Sequence, residues 1–194
     1  MRNFSIAAVL LINLFIAVRN TVLIRRGSIK PSLAMWTFFS IAVAGSLATY
    51  LSDGDFTLLD NILNSSDLLL CVYVSVVIFL FGDKSTKFNR FDRGCLVAVV
   101  VILVFWALTR RHAEANLFIQ SILVIAYFPV VKRLWNSNEN TESFAVWISL
   151  LLAPIFSLLS SKGTLASVYA VRAIISTSLL LVLMTGAELR SRRS

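Results

Sequence analysis

The amino-acid sequence predicts an all-α polytopic membrane protein: seven transmembrane helices, as two parallel three-helix bundles joined by a linker helix. Three observations predict it. Of 194 residues, 58% are hydrophobic and only 14% are charged, against roughly 45–50% and about 25% in soluble domains. Mean hydropathy is +0.83, a surplus that a soluble core cannot bury and that therefore faces lipid. Finally, apolar runs recur along the whole chain, and segments 111 residues apart match in register.

A lipid core about 30 Å thick takes about 20 helical residues. The first run, 4–24, follows Arg2. The Ala17-Val18-Arg19 within it makes a poor cleavage site, so it reads as a span and not as a signal peptide. Spans two and three are 32–51 and 58–81. The fourth, 94–108, is the shortest and the most aliphatic, unbroken from Leu96 to Phe105. Spans five, six and seven are 115–134, 144–160 and 165–187. Pro129 and Pro154 fall inside the fifth and sixth, where each removes a helical hydrogen bond and reads either as a hinge or as a packing kink.

Charge orients these spans. With the N-terminus outside, the inner segments hold 13 Lys and Arg and the outer segments 4, while Arg172 lies within a span. That asymmetry predicts an outside N-terminus and a cytoplasmic C-terminus. The expected location is a bacterial inner membrane. The net charge of +8 thus reads as a topology signal and not as a nucleic-acid surface. Arg25-Arg26 and the cluster from Arg190 to Arg193 could also bind anionic lipid. Cys71 and Cys95 form no CxxC, His112 is the sole histidine, and no P-loop, GxGxxG or GxSxG occurs. No enzyme, metal or cofactor is expected. The expected partners are a small-molecule solute and the bilayer, with no nucleic acid; a homo-oligomer is left open.

The repeat organises the chain. A shift of 111 places Ser32, Ala34, Trp36, Ala42, Ser46 and Leu47 on Ser143, Ala145, Trp147, Ala153, Ser157 and Leu158. It also places Ser65 and Leu68 to Leu70 on Ser176 and Leu179 to Leu181. Matching positions are four spans apart, so the two copies point the same way, and the unmatched fourth span restores that direction. The expected divisions are 1–82 (first repeat), 83–111 (loop and linker helix), 112–187 (second repeat) and 188–194 (basic tail).

This 3+1+3 plan resembles the PQ-loop and SWEET-like transporter superfamily. The local likeness runs from Phe128-Pro129-Val130-Val131-Lys132 to Asn140-Thr141-Glu142-Ser143, which is similar to the family's proline-glutamine pair, basic residue and Ser/Thr-Glu entry to the next helix. Val130 replaces the glutamine, and Val18 stands opposite Pro129 in the first half. A weaker likeness, carried by Glu142 and Trp147, is to nicotinamide riboside transporters, and the plan is also similar to bacterial seven-span proteins of no assigned activity. The resemblance implies transport of a small polar solute, as a facilitator or proton-coupled. The alternatives are a non-transporting receptor or accessory protein of the same fold, and a membrane-embedded enzyme.

Candidate solute-binding residues follow from depth and spacing. Asp67 is an ionisable group inside the third span, where charge is costly unless it meets a cavity or a partner. Asn61, Asn64 and Asp67, three apart, form one polar stripe. The resemblance implies a central site lined by an asparagine on span three, best matched by Asn61. Arg172 stands opposite it in the repeat, which shifts the expectation toward an anionic ligand or a pair with Asp67. Arg172 could instead snorkel to the headgroups. Trp36 and Trp147 read either as interfacial belt residues or as aromatic walls. Asn13 either lines the cavity or bonds a neighbouring helix.

Overall fold

The computed structural model describes residues 1–29, 31, 33–82, 90–136 and 142–191. Ser32, Lys30, Lys84, Lys87, Asn140, Thr141, Arg192 and Arg193, used above in the repeat, the charge count or the motif, lie outside the described residues, as do the side chains of Pro129 and Arg133. Among the described residues every regular element is helical: α1 (Arg2–Arg25), α2 (Leu33–Ser52), a 3-10 turn (Leu58–Asn61) leading into α3 (Ile62–Phe81), α4 (Arg90–Thr109), α5 (His112–Ile125), α6 (Phe128–Asn136), α7 (Phe144–Ser157) and α8 (Gly163–Ser191).

Among the described residues, six stretches are long and apolar enough to cross a membrane, with α5 and α6 counted as one over His112–Lys132. The fifth span is therefore broken where a continuous helix was expected. Ala126 and Tyr127 form a turn three and two residues before Pro129, because proline has no N–H for the carbonyl four residues back and is tolerated in a first turn. The sixth span is short. α7 has 14 residues, about 21 Å at 1.5 Å per residue. Its helical bonding runs on past Pro154 as a turn, with Leu158 N–H donating to the Pro154 carbonyl at 3.2 Å and Ser161 N–H to that of Ser157 at 2.9 Å.

The helices are built inside out relative to soluble ones. α1 buries Ser5, Val9, Asn13, Ile16, Asn20 and Ile24, a stripe at steps of three and four that carries three polar residues. Leu10, Leu11, Leu14, Phe15 and Val18 face outward. Lipid is as apolar as leucine, so helix association in it rests on close packing and polar contacts. α4 is the extreme case: only Cys95 and Val99 are buried, and it packs at the periphery on α2 and α5.

The packing pattern has an exchange symmetry. α3 lies between α1 and α2, and α8 lies between α7 and the α5–α6 pair. Across the two groups, α1 packs on α7 and α2 on α5. Exchanging α1, α2 and α3 for α5–α6, α7 and α8 maps this set of contacts onto itself, and α4 has no counterpart. Polar contacts follow the same exchange. The Ser5 and Ser160 hydroxyls meet at 2.8 Å, and Asn116 Nδ2 donates to Thr49 Oγ1 at 2.9 Å; both members of each pair are 111 positions from their counterparts.

α2 approaches α4 and α5 closely at Gly45. A Cβ there would meet the end of the Leu103 side chain at 2.8 Å and that of Ile119 at 3.3 Å, whereas one at Gly94 on α4 would meet nothing within 4 Å. Gly45→Val should therefore destabilise the protein by about 1–3 kcal/mol through overpacking. Gly94→Ala should be neutral or stabilise it by up to about 1 kcal/mol. Thermal unfolding of the two variants in detergent checks the contrast, and equal effects would mean that α2 does not seat against α4 and α5 as described.

Candidate functional site

A cavity of about 740 Å³ enters from the end where α1 finishes and α2, α4 and α7 begin, between Gly27, Pro31, Asp92 and Glu142. It runs inward past Trp36, Tyr127 and Trp147 and stops near Leu63, Asp67, Tyr169 and Arg172. Its walls come from every helix of the fold. Phe39, Tyr127 and Trp147 form a continuous aromatic wall, with ring centroids 5.5 and 6.2 Å apart in succession.

At the blind end two charges sit on either side of Tyr169. The Asp67 carboxylate accepts from Asn13 Nδ2 at 3.1 Å and from the Tyr169 hydroxyl at 3.0 Å. Asn13 Nδ2 also donates to Ser66 Oγ at 2.8 Å. The Arg172 guanidinium lies 4.7 Å over the Tyr169 ring, a favourable cation–π geometry, and its Nε donates to Gln120 Oε1 at 2.8 Å. The direct Asp67–Arg172 pair anticipated from the sequence is not formed among the described residues. Both residues do line the cavity, and Tyr169 joins them by a hydrogen bond on one side and its ring on the other. Arg172 points inward and not to a headgroup layer.

Asn61 and Asn64 sit further out than the cavity floor. They are absent from its lining and almost wholly buried. Asn61 caps α3 by accepting from the Asn64 N–H at 3.4 Å, and Asn64 Nδ2 donates to Ser46 Oγ at 2.9 Å. Asn13 Oδ1, Asn61 Nδ2 and Asn64 Oδ1 are buried with no hydrogen-bond partner. Trp36 and Trp147 are both lining residues. The Trp147 indole N–H donates to Glu142 Oε2 at 3.1 Å, while that of Trp36 is buried without a partner. Pro154 is buried and lines the cavity from within α7.

Sequence reasoning missed the floor beneath these groups. Ser46 accepts from Asn64 and from Gln120 Nε2 at 2.7 Å. Asn116 Nδ2 donates to the Ser46 carbonyl at 2.8 Å and to Thr49, and its Oδ1 accepts from Gln120 at 3.2 Å. A signal existed. Asn116 and Gln120 are four apart in an otherwise apolar run, hence on one helix face.

The opposite end of the molecule is closed by Asp60. Its side chain is 3% exposed and binds Arg2 Nη2 at 3.0 Å and Lys162 Nζ at 2.9 Å through one oxygen. The other oxygen accepts from the Thr57 N–H and hydroxyl at 2.9 and 2.7 Å. The Lys162 N–H donates to the Asp60 carbonyl at 2.9 Å, and the Tyr50 hydroxyl donates to the Lys162 carbonyl at 3.0 Å. Phe56 stacks on Tyr50 at 4.7 Å and presses against Gly163. Gly163 has φ of +77° and leaves no room for a Cβ, which would meet the Phe56 ring at 2.8 Å. The start of α1, the entry to α3 and the entry to α8 are thus tied into one knot.

No family model, curated protein or solved structure matches the chain. Ser46 and Ser157 occupy equivalent repeat positions and are both fully buried, but Ser157 Oγ bonds only within its own helix, to the Pro154 carbonyl at 2.8 Å. Ser46→Ala strands two amide donors and should cost about 1–3 kcal/mol, against under about 1 kcal/mol for Ser157→Ala. Denaturation of the two variants in detergent tests this, and equal costs would remove Ser46 from its place as the hub.

Proposed function

We propose that the chain is a membrane carrier for a small polar solute, in the state whose cavity opens to the cytoplasm. The observation that carries this reading is the cavity itself. It reaches charged side chains at membrane depth from one end only, while the other end is closed by the buried amides and by Asp60. Ionisable groups at that depth mark solute and ion pathways, and a path open at one end and tied shut at the other is what alternating access requires. The Lys and Arg asymmetry supports a mouth on the cytoplasmic side.

The reading takes the helices as a 3+1+3 plan of two parallel repeats with α4 as linker, similar to PQ-loop and SWEET-like transporters. Support comes from the exchange symmetry of the packing and from the repeat-related Ser5–Ser160 and Asn116–Thr49 contacts. α7, short as it is, serves as the sixth of seven spans. The break before Pro129 and the proline within α7, Pro154, are where the α5–α6 pair and α7 would bend when the cavity closes. Asp67 is the group whose protonation would couple to transport, if a proton is coupled.

Counterflow in proteoliposomes tests the reading, with a labelled panel of carboxylates, amino acids and hexoses. At least one solute should exchange faster than in protein-free vesicles, and Pro129→Ala and Pro154→Ala should slow that exchange while equilibrium binding survives. No exchange for any solute, together with a membrane partner recovered by crosslinking, would replace the carrier with an accessory protein. Orientation is checked separately. A cysteine placed beside Asp55 should react with an impermeant thiol reagent from outside and one beside Lys87 should not; the reverse pattern would turn the mouth outward.

A further inference from the structure

The blind end of the cavity holds a guanidinium that no carboxylate among the described residues neutralises by contact. Arg172 uses Nε on the neutral Gln120 amide and its face on Tyr169; the Tyr127 hydroxyl also bonds it, and the Asp67 carboxylate is within electrostatic reach but makes no ion pair with it. The carboxylate at the same depth, Asp67, has one hydrogen bond on each oxygen from a neutral donor. The cavity's other carboxylates, Asp92 and Glu142, belong to its mouth, where water and salt screen them. A guanidinium presents five N–H donors in a planar fork suited to a carboxylate, and an anion in direct contact is what it lacks at membrane depth. Beside it the walls are flat and apolar: Phe39, Tyr127 and Trp147 in ring contact, with Trp36, Leu70 and Leu150 completing the lining.

Resting on the carrier reading, we propose that the cavity takes a small aromatic carboxylate, its carboxylate on the Arg172 guanidinium and its ring against the Phe39, Tyr127 and Trp147 wall. Two sources share that chemistry. A simple aryl acid offers only the anion, and an aromatic amino acid adds an ammonium that would face Asp67 across Tyr169.

The experiment is calorimetric titration of the purified full-length protein in detergent with phenylacetate, phenylalanine and the uncharged phenylacetamide. The wild-type protein should bind at least one of the two acids at least tenfold more tightly than the amide, a comparison that needs no variant. Whichever acid binds tighter identifies the source. Arg172→Gln should lose that preference and Arg172→Lys should retain part of it, since lysine keeps the charge without the fork. Equal affinity for acid and amide, or a preference that survives Arg172→Gln, overturns the proposal, as does the absence of binding by either acid. The two readings fail separately. Acid binding without counterflow of the same acid leaves the site standing and removes the carrier. Counterflow of a hexose with no acid binding does the opposite.

Discussion

The structure depends on one constraint: polar side chains embedded in lipid-facing helices must find their partners inside the protein. These partners form an almost continuous chain. It runs from Asn13 on α1 to Ser66 and Asp67 on α3, through Tyr169 and Arg172 on α8, to Gln120 and Asn116 on α5, and ends at Ser46 and Thr49 on α2 before returning to Asn64 on α3. Five helices are held by it. Apolar surface supplies little drive for helices to associate in a bilayer, so this chain, together with close approach at Gly45, fixes which helix meets which. It also decides where the cavity ends, because the atoms committed to one another beneath Arg172 leave no opening toward the Asp60 end.

The two ends of the molecule handle charge differently for the same physical reason. At Asp60 a carboxylate is buried but its partners Arg2 and Lys162 are about half exposed, so water solvates the cations while the Thr57 donors complete the anion's shell. Ion pairs of this kind contribute modestly when solvent reaches them. At Asp67 and Arg172 there is no such access except through the cavity. Each charge is instead distributed over neutral donors, an amide acceptor and a ring. That arrangement holds charge at depth without cancelling it, which leaves Arg172 able to meet an external anion.

Much of the architecture was legible because hydropathy reports the lipid boundary directly. The helices α1, α2 and α4 fall where the apolar runs place them, give or take a few residues. The break in the fifth span is marked by Pro129, which reads from the sequence as a hinge or kink within one helix, whereas the missing N–H and the ring's clash with the preceding turn end α5 ahead of the proline. Depth was read less well than identity. Of the stripe Asn61, Asn64 and Asp67, only Asn64 and Asp67 lie within α3, while Asn61 caps it from the preceding 3-10 turn; the members part company at the cavity floor, since the floor is set by Ser46 and Gln120 on other helices. The missing Asp67–Arg172 contact has the same origin. A repeat alignment gives separation along the axis, whereas a buried tyrosine inserted between two side chains is a feature of packing. Tyr169 stood three residues before Arg172 in the sequence, one helical turn away, with nothing in the spacing to say that it would intervene.

The proposed two-repeat reading adds a reason for the site's chemistry. Positions 111 apart carry different residues at both charges: Asn61 against Arg172 and Asp67 against Ser178. Two identical halves related by a twofold axis would place each of these side chains twice around it. Two aspartates or two arginines would then share one low-dielectric cavity, and like charges so placed are costly. On the two-repeat reading a duplicated chain would escape that penalty, with one half supplying the acid and the other the base while Trp36 and Trp147 stay paired as walls. The asymmetric amides follow the same logic. Gln120, whose counterpart is Val9, is needed only on the side where Arg172 must be held. The matched positions Ala42 with Ala153 and Ser46 with Ser157, by contrast, lie in the buried packing that both halves require.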